Sequence, residues 1–265
     1  MFLEPQLILE FALLGLCMGF LAGLLGLGGG MVIVPFVTFI LTAKGFPPEY
    51  TVKMAVATSL ATICFTSITS VWAHHKRGAV LWPVVVRLVP GILLGSALGA
   101  QLAVAVSGKA LSTVFALFVA FSATQILIDR KPEPTRTLPG TAGMLAAGGV
   151  IGAIAALVGA GGAFISVPFM QWCNVKIHNA VATSAALGFP VALAGTVSYA
   201  FAGRDLPHMP GSIGYLYLPG LLVISLCSMS TAPLGARTAH RMDIKPLKRC
   251  FAIVLYCLAG YFLFR

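Results

Sequence analysis

Eight windows of mostly apolar residues, each 18 residues or longer, dominate this 265-residue chain. They are Pro5–Leu27, Met54–Ala73, Ala79–Val106, Leu111–Ile128, Thr141–Val158, Ala180–Ala202, Tyr215–Ala236 and Leu247–Phe264. A helix needs about 20 apolar residues to cross a hydrocarbon core about 30 Å thick, whereas a membrane strand needs about half as many. The windows therefore predict an all-α integral membrane protein with many passes. Composition agrees: 58% of residues are hydrophobic and 9% charged, where a water-soluble domain carries roughly a quarter charged residues. The first window is read as a span of the mature chain rather than a leader, because Glu4 and Glu10 stand where a leader is basic.

The net charge of +10 does not point to nucleic acid. The cations sit in short loops between spans, as the positive-inside rule expects, and no basic patch is interleaved with aromatics. The six cysteines form no CxxC pair and read as small apolar packers. His74 and His75 are adjacent on a basic turn, a spacing that reads as interfacial and not as a metal site. No HExxH, GxSxG or GxxxxGK[ST] occurs. The expectation is therefore no catalytic residues, no metal and no cofactor.

Two stretches break the apolar pattern. "LLGLGGGMVIVPF" (Leu24–Phe36) and "ALVGAGGAFISVPF" (Ala156–Phe169) place glycines before a short apolar piece with a proline inside it. Gly28, Gly29, Pro35 and Phe36 align with Gly161, Gly162, Pro168 and Phe169 at an offset of 133. "AVATS" recurs at Ala55–Ser59 and Ala180–Ser184, "PG" at Pro90 and Pro219, and "LGA" at Leu98 and Leu234. The chain reads as a duplication: a first membrane repeat over 1–128, a cytoplasmic linker over 129–140, and a second repeat over 141–265.

Each half then holds one glycine-broken segment and three ordinary spans. Met31–Ala43, at 13 residues, makes about 20 Å of helix and falls short of a crossing. It is either the second arm of a re-entrant hairpin or the continuation of one long kinked helix. If each broken segment is a kinked crossing, Lys and Arg divide seven against nine; if each is a hairpin, eleven against five. Only the hairpin obeys the positive-inside rule. Three crossings per half make the halves an inverted repeat, the architecture of many secondary transporters.

Bare backbone inside a membrane is tolerated where protein buries it or water reaches it. Gly28, Gly29, Gly30, Gly161 and Gly162 are therefore expected at an internal cavity, where the helix that follows turns unpaired N–H groups and its positive dipole end toward an anion. The competing reading is that glycines only let helices pack closely, which better suits Gly91, Gly95 and Gly99. Thr58 and Ser59, with Thr183 and Ser184 in the second copy, either bond back to their own helices or donate to an anion. Thr62, Thr66, Ser67, Thr69 and Ser70 suggest that one face of that helix lines a path. Arg87, inside a span, is either a site residue or a cation reaching the surface.

"GLLGLGGGMVIVPF" and "LVGAGGAFISVPF", each followed by "AVATS", resemble the TauE/SafE family of sulfite-exporter-type permeases from about Leu13 to Phe264. The resemblance implies a bacterial inner-membrane carrier of a small sulfur-containing anion: sulfite, sulfoacetate or another organosulfonate, or thiosulfate. The site residues it implies are the glycine turns, Pro35, Pro168 and the two Thr-Ser pairs. From the residues alone the reading stops at an anion carrier, with an anion channel as the alternative. The partners expected are the small anion and the lipid bilayer; self-association stays open.

Cysteines placed singly at Glu4 and Thr135 test the odd number of crossings. Impermeant thiol labelling should reach them from opposite sides of the membrane; labelling of both from one side would make the halves parallel.

Overall fold

A computed structural model describes residues 5–25, 30–128, 136–207, 209–239 and 245–264. Its helices are α1 (Pro5–Leu25), α2 (Gly30–Ala43), α3 (Pro48–Lys76), α4 (Trp82–Ala105), α5 (Gly108–Ile128), α6 (Thr141–Val158), α7 (Ala163–Trp172), α8 (Ile177–Ala202), α9 (Leu218–Ala239) and α10 (Lys245–Phe264). A two-residue β-hairpin, β1 (Ser212–Ile213) with β2 (Leu216–Tyr217), precedes α9. Seven of the described helices are long and apolar enough to cross a membrane. In α10 the apolar part runs over Arg249–Phe264. Exposed leucines such as Leu94, Leu98 and Leu226 face outward, an arrangement that suits lipid and not water. This is a multi-pass membrane protein.

The element order long, short, long, long, long occurs twice. The two short helices, α2 of 14 residues and α7 of 10, are about 21 and 15 Å long, and each carries its proline at the sixth position, Pro35 and Pro168.

Whether each short helix folds back or runs on is decided by contacts at its far end. The Arg136 amide donates to the Trp172 carbonyl at 3.2 Å, and the Arg136 guanidinium lies 4.6 Å from the Trp172 ring centre. If α7 continued α6, Trp172 would end roughly 40 Å from Thr141. Residues 136–140 reach at most about 17 Å. So α7 turns back toward the start of α6 rather than continuing it, and it packs on α8. In the first half Phe11, near the start of α1, and Phe46, just past the end of α2, both pack on Tyr217 with ring centroids 5.8 and 5.7 Å away. α1 and α2 fold back likewise.

Packing crosses between the halves. α1 lies along α9 and α4 along α6, while α3 packs on α8 and α5 on α10. Small residues set the close approach. A Cβ on Gly91, Gly95 or Gly99 would overlap the α6 carbonyls of Leu145, Gly149 and Ala153, which is the packing face expected for these glycines. On the other pair, Ser228 and Thr231 of α9 donate to the Gly15 and Leu16 carbonyls at 3.0 and 2.9 Å.

One sequence landmark does not survive. Pro90 lies in the interior of α4, whereas Pro219 is the second residue of α9. Pro83, the second residue of α4, takes the place of Pro219, and the offset of 136 it gives is also that of the two "LGA" runs. Proline is favoured at a helix start in any sequence, so "PG" matched by composition and not by position.

Gly95→Val should force α4 and α6 apart. Overpacking of this kind costs about 1–3 kcal/mol and should appear as lower yield and a lower melting temperature in detergent, with the binding affinity of the protein that does fold unchanged.

Candidate functional site

Where α6 ends, Gly159 adopts the left-handed conformation (φ 68°, ψ 30°), and where α7 begins, Gly162 does so again (φ 78°, ψ −3°). A side chain is strained at both. Gly161 between them has ordinary φ, and a Cβ there would meet only Ile63 at 3.6 Å and Gly188 at 3.9 Å. The Gly162 cap supplies no side-chain hydrogen bond to α7. The first amides of α7, at Ala163 and Phe164, have no carbonyl partner within their own helix.

The two breaks meet. A Cβ on Gly30, the first residue of α2, would overlap the Gly159 carbonyl and lie 3.1 Å from the Ala160 Cα. Ser59 of α3 closes this junction: its hydroxyl donates to the Gly159 carbonyl at 2.8 Å, with the Gly30 carbonyl 3.5 Å away. Its counterpart in α8, Ser184, is hydrogen-bonded to the Ser166 hydroxyl of α7 at 2.7 Å.

The neighbouring threonines make a reciprocal pair. Thr58 of α3 accepts the Tyr217 amide at 3.0 Å, just before α9. Thr183 of α8 accepts the Leu81 amide at 3.0 Å, just before α4. Helix starts leave amides unpaired, and here each half supplies the oxygen for the other half's helix.

A cavity of about 240 Å³ lies beside this junction. Gly161, Ala163, Ser184 and Gly188 form one wall, and Thr66, Ser67, Thr69 and Ser70 of α3 the facing one. Met18 of α1 and Ser228 of α9 contribute as well, and His74 and Arg77 lie toward the end of α3. Among the described residues, no Asp or Glu lines it. A guanidinium, helix-start amides and the Ser184 hydroxyl offer donors to an anion.

The residues singled out from sequence thus separate. Gly161 and Ser184 line the cavity. Gly30 and Ser59 sit at the junction behind it, and Gly162 starts α7. Thr58 and Thr183 hold helix starts. Arg87 is exposed on α4 and does not line the cavity. Gly28 and Gly29 fall outside the described residues. Of the hydroxyl face expected on α3, Thr62 is buried and donates to its own helix at Thr58 (2.9 Å); the other four line the cavity, with Thr66, Ser67 and Thr69 donating to α3 carbonyls at 3.3, 3.1 and 2.9 Å.

Sequence reading missed Gly159, His74, Arg77 and Ser166. Gly159 carried a signal, a glycine directly after a predicted helix. His74 and Arg77 were hidden by the expectation that cations in a short turn face water.

The chain matches the family described as Sulfite exporter TauE/SafE over residues 11–262. A probable membrane transporter protein of Haemophilus influenzae is 34% identical over 254 residues, covering 95% of this chain and 96% of the relative. Probable membrane transporter proteins of Bacillus subtilis and Methanocaldococcus jannaschii are 28% and 26% identical, covering 91% and 96% of this chain and 92% and 95% of their own lengths. No solved structure matches.

Replacing Thr58 or Thr183 by valine keeps the shape and removes the acceptor, leaving a buried amide unpaired. Each variant should lose about 1–3 kcal/mol, and the two losses should be alike because the roles are reciprocal. Thermal melting of the purified protein measures both.

Proposed function

The chain belongs to the sulfite exporter TauE/SafE family, and on that premise we propose that it is a secondary carrier of a small sulfur-containing anion in the bacterial inner membrane. It is a membrane transporter and not an enzyme; the substrate class and the binding mode are our reading. The anion, such as sulfite, sulfoacetate or another organosulfonate, sits in the cavity against the Gly161–Gly162 turn, facing the first amides of α7 and the Ser184 hydroxyl. Arg77 raises its local concentration by its position at the mouth. The observation that carries this reading is a cavity that joins a glycine-broken helix start to a guanidinium and the Ser184 hydroxyl, with no carboxylate among its described lining residues.

Several contacts support an inverted repeat around that site. The first hairpin opens at the Phe46 end of α3, since Phe11 and Phe46 share Tyr217. The second opens near the other end of α3, where Asn179 at the start of α8 donates to the Ala79 carbonyl at 3.0 Å. α3 has 29 residues, about 43 Å, so these ends lie on opposite faces of a bilayer. The cavity mouth then faces the cation-rich side, which is the cytoplasm. Beyond the junction the path is blocked by fully buried Leu60 and Tyr199, which favours a carrier with alternating access over an open channel.

Gly161 is the position that tests the site cleanly. Its ordinary φ and open surroundings accept a larger side chain, whereas Gly162 is strained by any Cβ. Gly161→Val should melt like the parent yet abolish transport of sulfite, sulfoacetate and thiosulfate in proteoliposomes. Ser184→Ala should weaken binding about ten- to a hundred-fold, the worth of one hydrogen bond to a charged group. A folded Gly161→Val protein that carries these anions normally would overturn the assignment.

A further inference from the structure

The duplication lets the cavity be compared with its own counterpart on the other side of the glycine junction. Along α3 and α8 the halves correspond at an offset of 125, as Ala55 does to Ala180. By that offset His74 answers to Tyr199, Ser70 to Gly195, and Ala185 to Leu60. Between α4 and α9 the offset of 136 pairs Ile92 with Ser228.

These counterparts are closely packed. Tyr199 is fully buried, and its hydroxyl donates to the Ala156 carbonyl at 3.2 Å. Leu60 and Ile92 are fully buried too. A Cβ on Gly195 would stand 2.8 Å from the Leu60 Cδ1, so the glycine is what lets the leucine close. From Tyr199 a column of phenol rings runs outward: Tyr199 to Tyr215 at 6.1 Å, and Tyr215 to half-buried Tyr50, near the start of α3, at 6.4 Å.

We propose that this filled region is the second access path to the site in its closed state, and that Tyr199 and Leu60 are its gate. The proposal rests on the reading of the cavity as the transport site. When the gate parts, the route from the junction to the opposite face runs past Gly195 and Ser198 and along the Tyr215–Tyr50 column. The exchange of shape between equivalent halves is how inverted repeats alternate access. The two sides are not equally filled, however. Tyr199, Leu60 and Ile92 occupy the positions where His74, Ala185 and Ser228 leave space, so closure on the tyrosine side is the better packed of the two. The resting protein therefore stays open beside Arg77.

The test uses the full chain in proteoliposomes with its six cysteines, all free in the structure, replaced by serine or alanine. Ser70→Cys reports the cavity and Ser198→Cys the closed path. An impermeant methanethiosulfonate reagent is applied to each face in turn. The Ser70→Cys protein should react from the Arg77 side, and the Ser198→Cys protein slowly and only from the opposite side. Adding Tyr199→Phe removes one hydrogen bond at the gate and should speed labelling at Ser198→Cys about five-fold. Adding Leu60→Ala as well should speed it more than ten-fold and slow labelling at Ser70→Cys. The gate is overturned if the Ser198→Cys protein stays protected in every background, if it reacts from the Arg77 side, or if both reporters speed up together. Protection of the Ser70→Cys protein from both faces would overturn the cavity reading and the gate with it, whereas a reactive Ser70→Cys with a protected Ser198→Cys sinks the gate alone.

Discussion

A peptide group that leaves a helix inside hydrocarbon finds no water to bond with, and each such group costs several kcal/mol unless protein supplies a partner. This chain interrupts its helices twice within its apolar windows, and the surrounding architecture follows from where the partners come from. Ser59 reaches from α3 to the Gly159 carbonyl. Thr58 and Thr183 supply oxygens to the amides before α9 and α4. These side chains lie on α3 and α8, which is why those two helices stand at the centre and are the most buried of the spans. The hydroxyls are few, but they let a broken backbone exist where lipid would forbid it.

Much of this was legible in the residue order. Helix boundaries followed from apolar length and from glycine and proline punctuation, and the short second arms were visible because 13 residues cannot cross a bilayer. The charge asymmetry favoured a fold-back, and the contacts of Arg136 and Phe46 independently require one. What was not legible is partnership between distant segments. Thr58 and Thr183 looked like anion donors because a hydroxyl in a span has few uses. Nothing near them in sequence says that Tyr217 and Leu81, 159 and 102 residues away, need an acceptor. His74 and Arg77 stay at the surface end of α3 as a basic turn should, and only the fold shows that a cavity opens beside them.

Duplication and asymmetry have separate uses in this molecule. The duplicated features are the ones that hold the backbone: glycine breaks, mid-helix prolines and Thr-Ser pairs. The hydroxyl face of α3 at Thr66, Ser67, Thr69 and Ser70 has no equivalent in α8, where Val191, Ala192, Ala194 and Gly195 stand. On the inverted-repeat reading proposed above, these unlike walls give the two membrane faces different solvation, and so a preferred resting shape.

The interleaving of the halves also bears on how the protein is made. α1 rests on α9 and α4 on α6, so α1 leaves the ribosome well before its main neighbour. With synthesis at about 5–20 residues per second, the roughly 190 residues separating α1 from α9 correspond to a wait of about 10–40 seconds. During that time the glycine face of α1 must be shielded by lipid or by the insertion machinery. Truncation after the first half would leave α1, α3 and α4 inserted but without the helices that pair with them. Quality control should therefore meet α1 and α4 as unpaired helices until α6 and α9 are inserted.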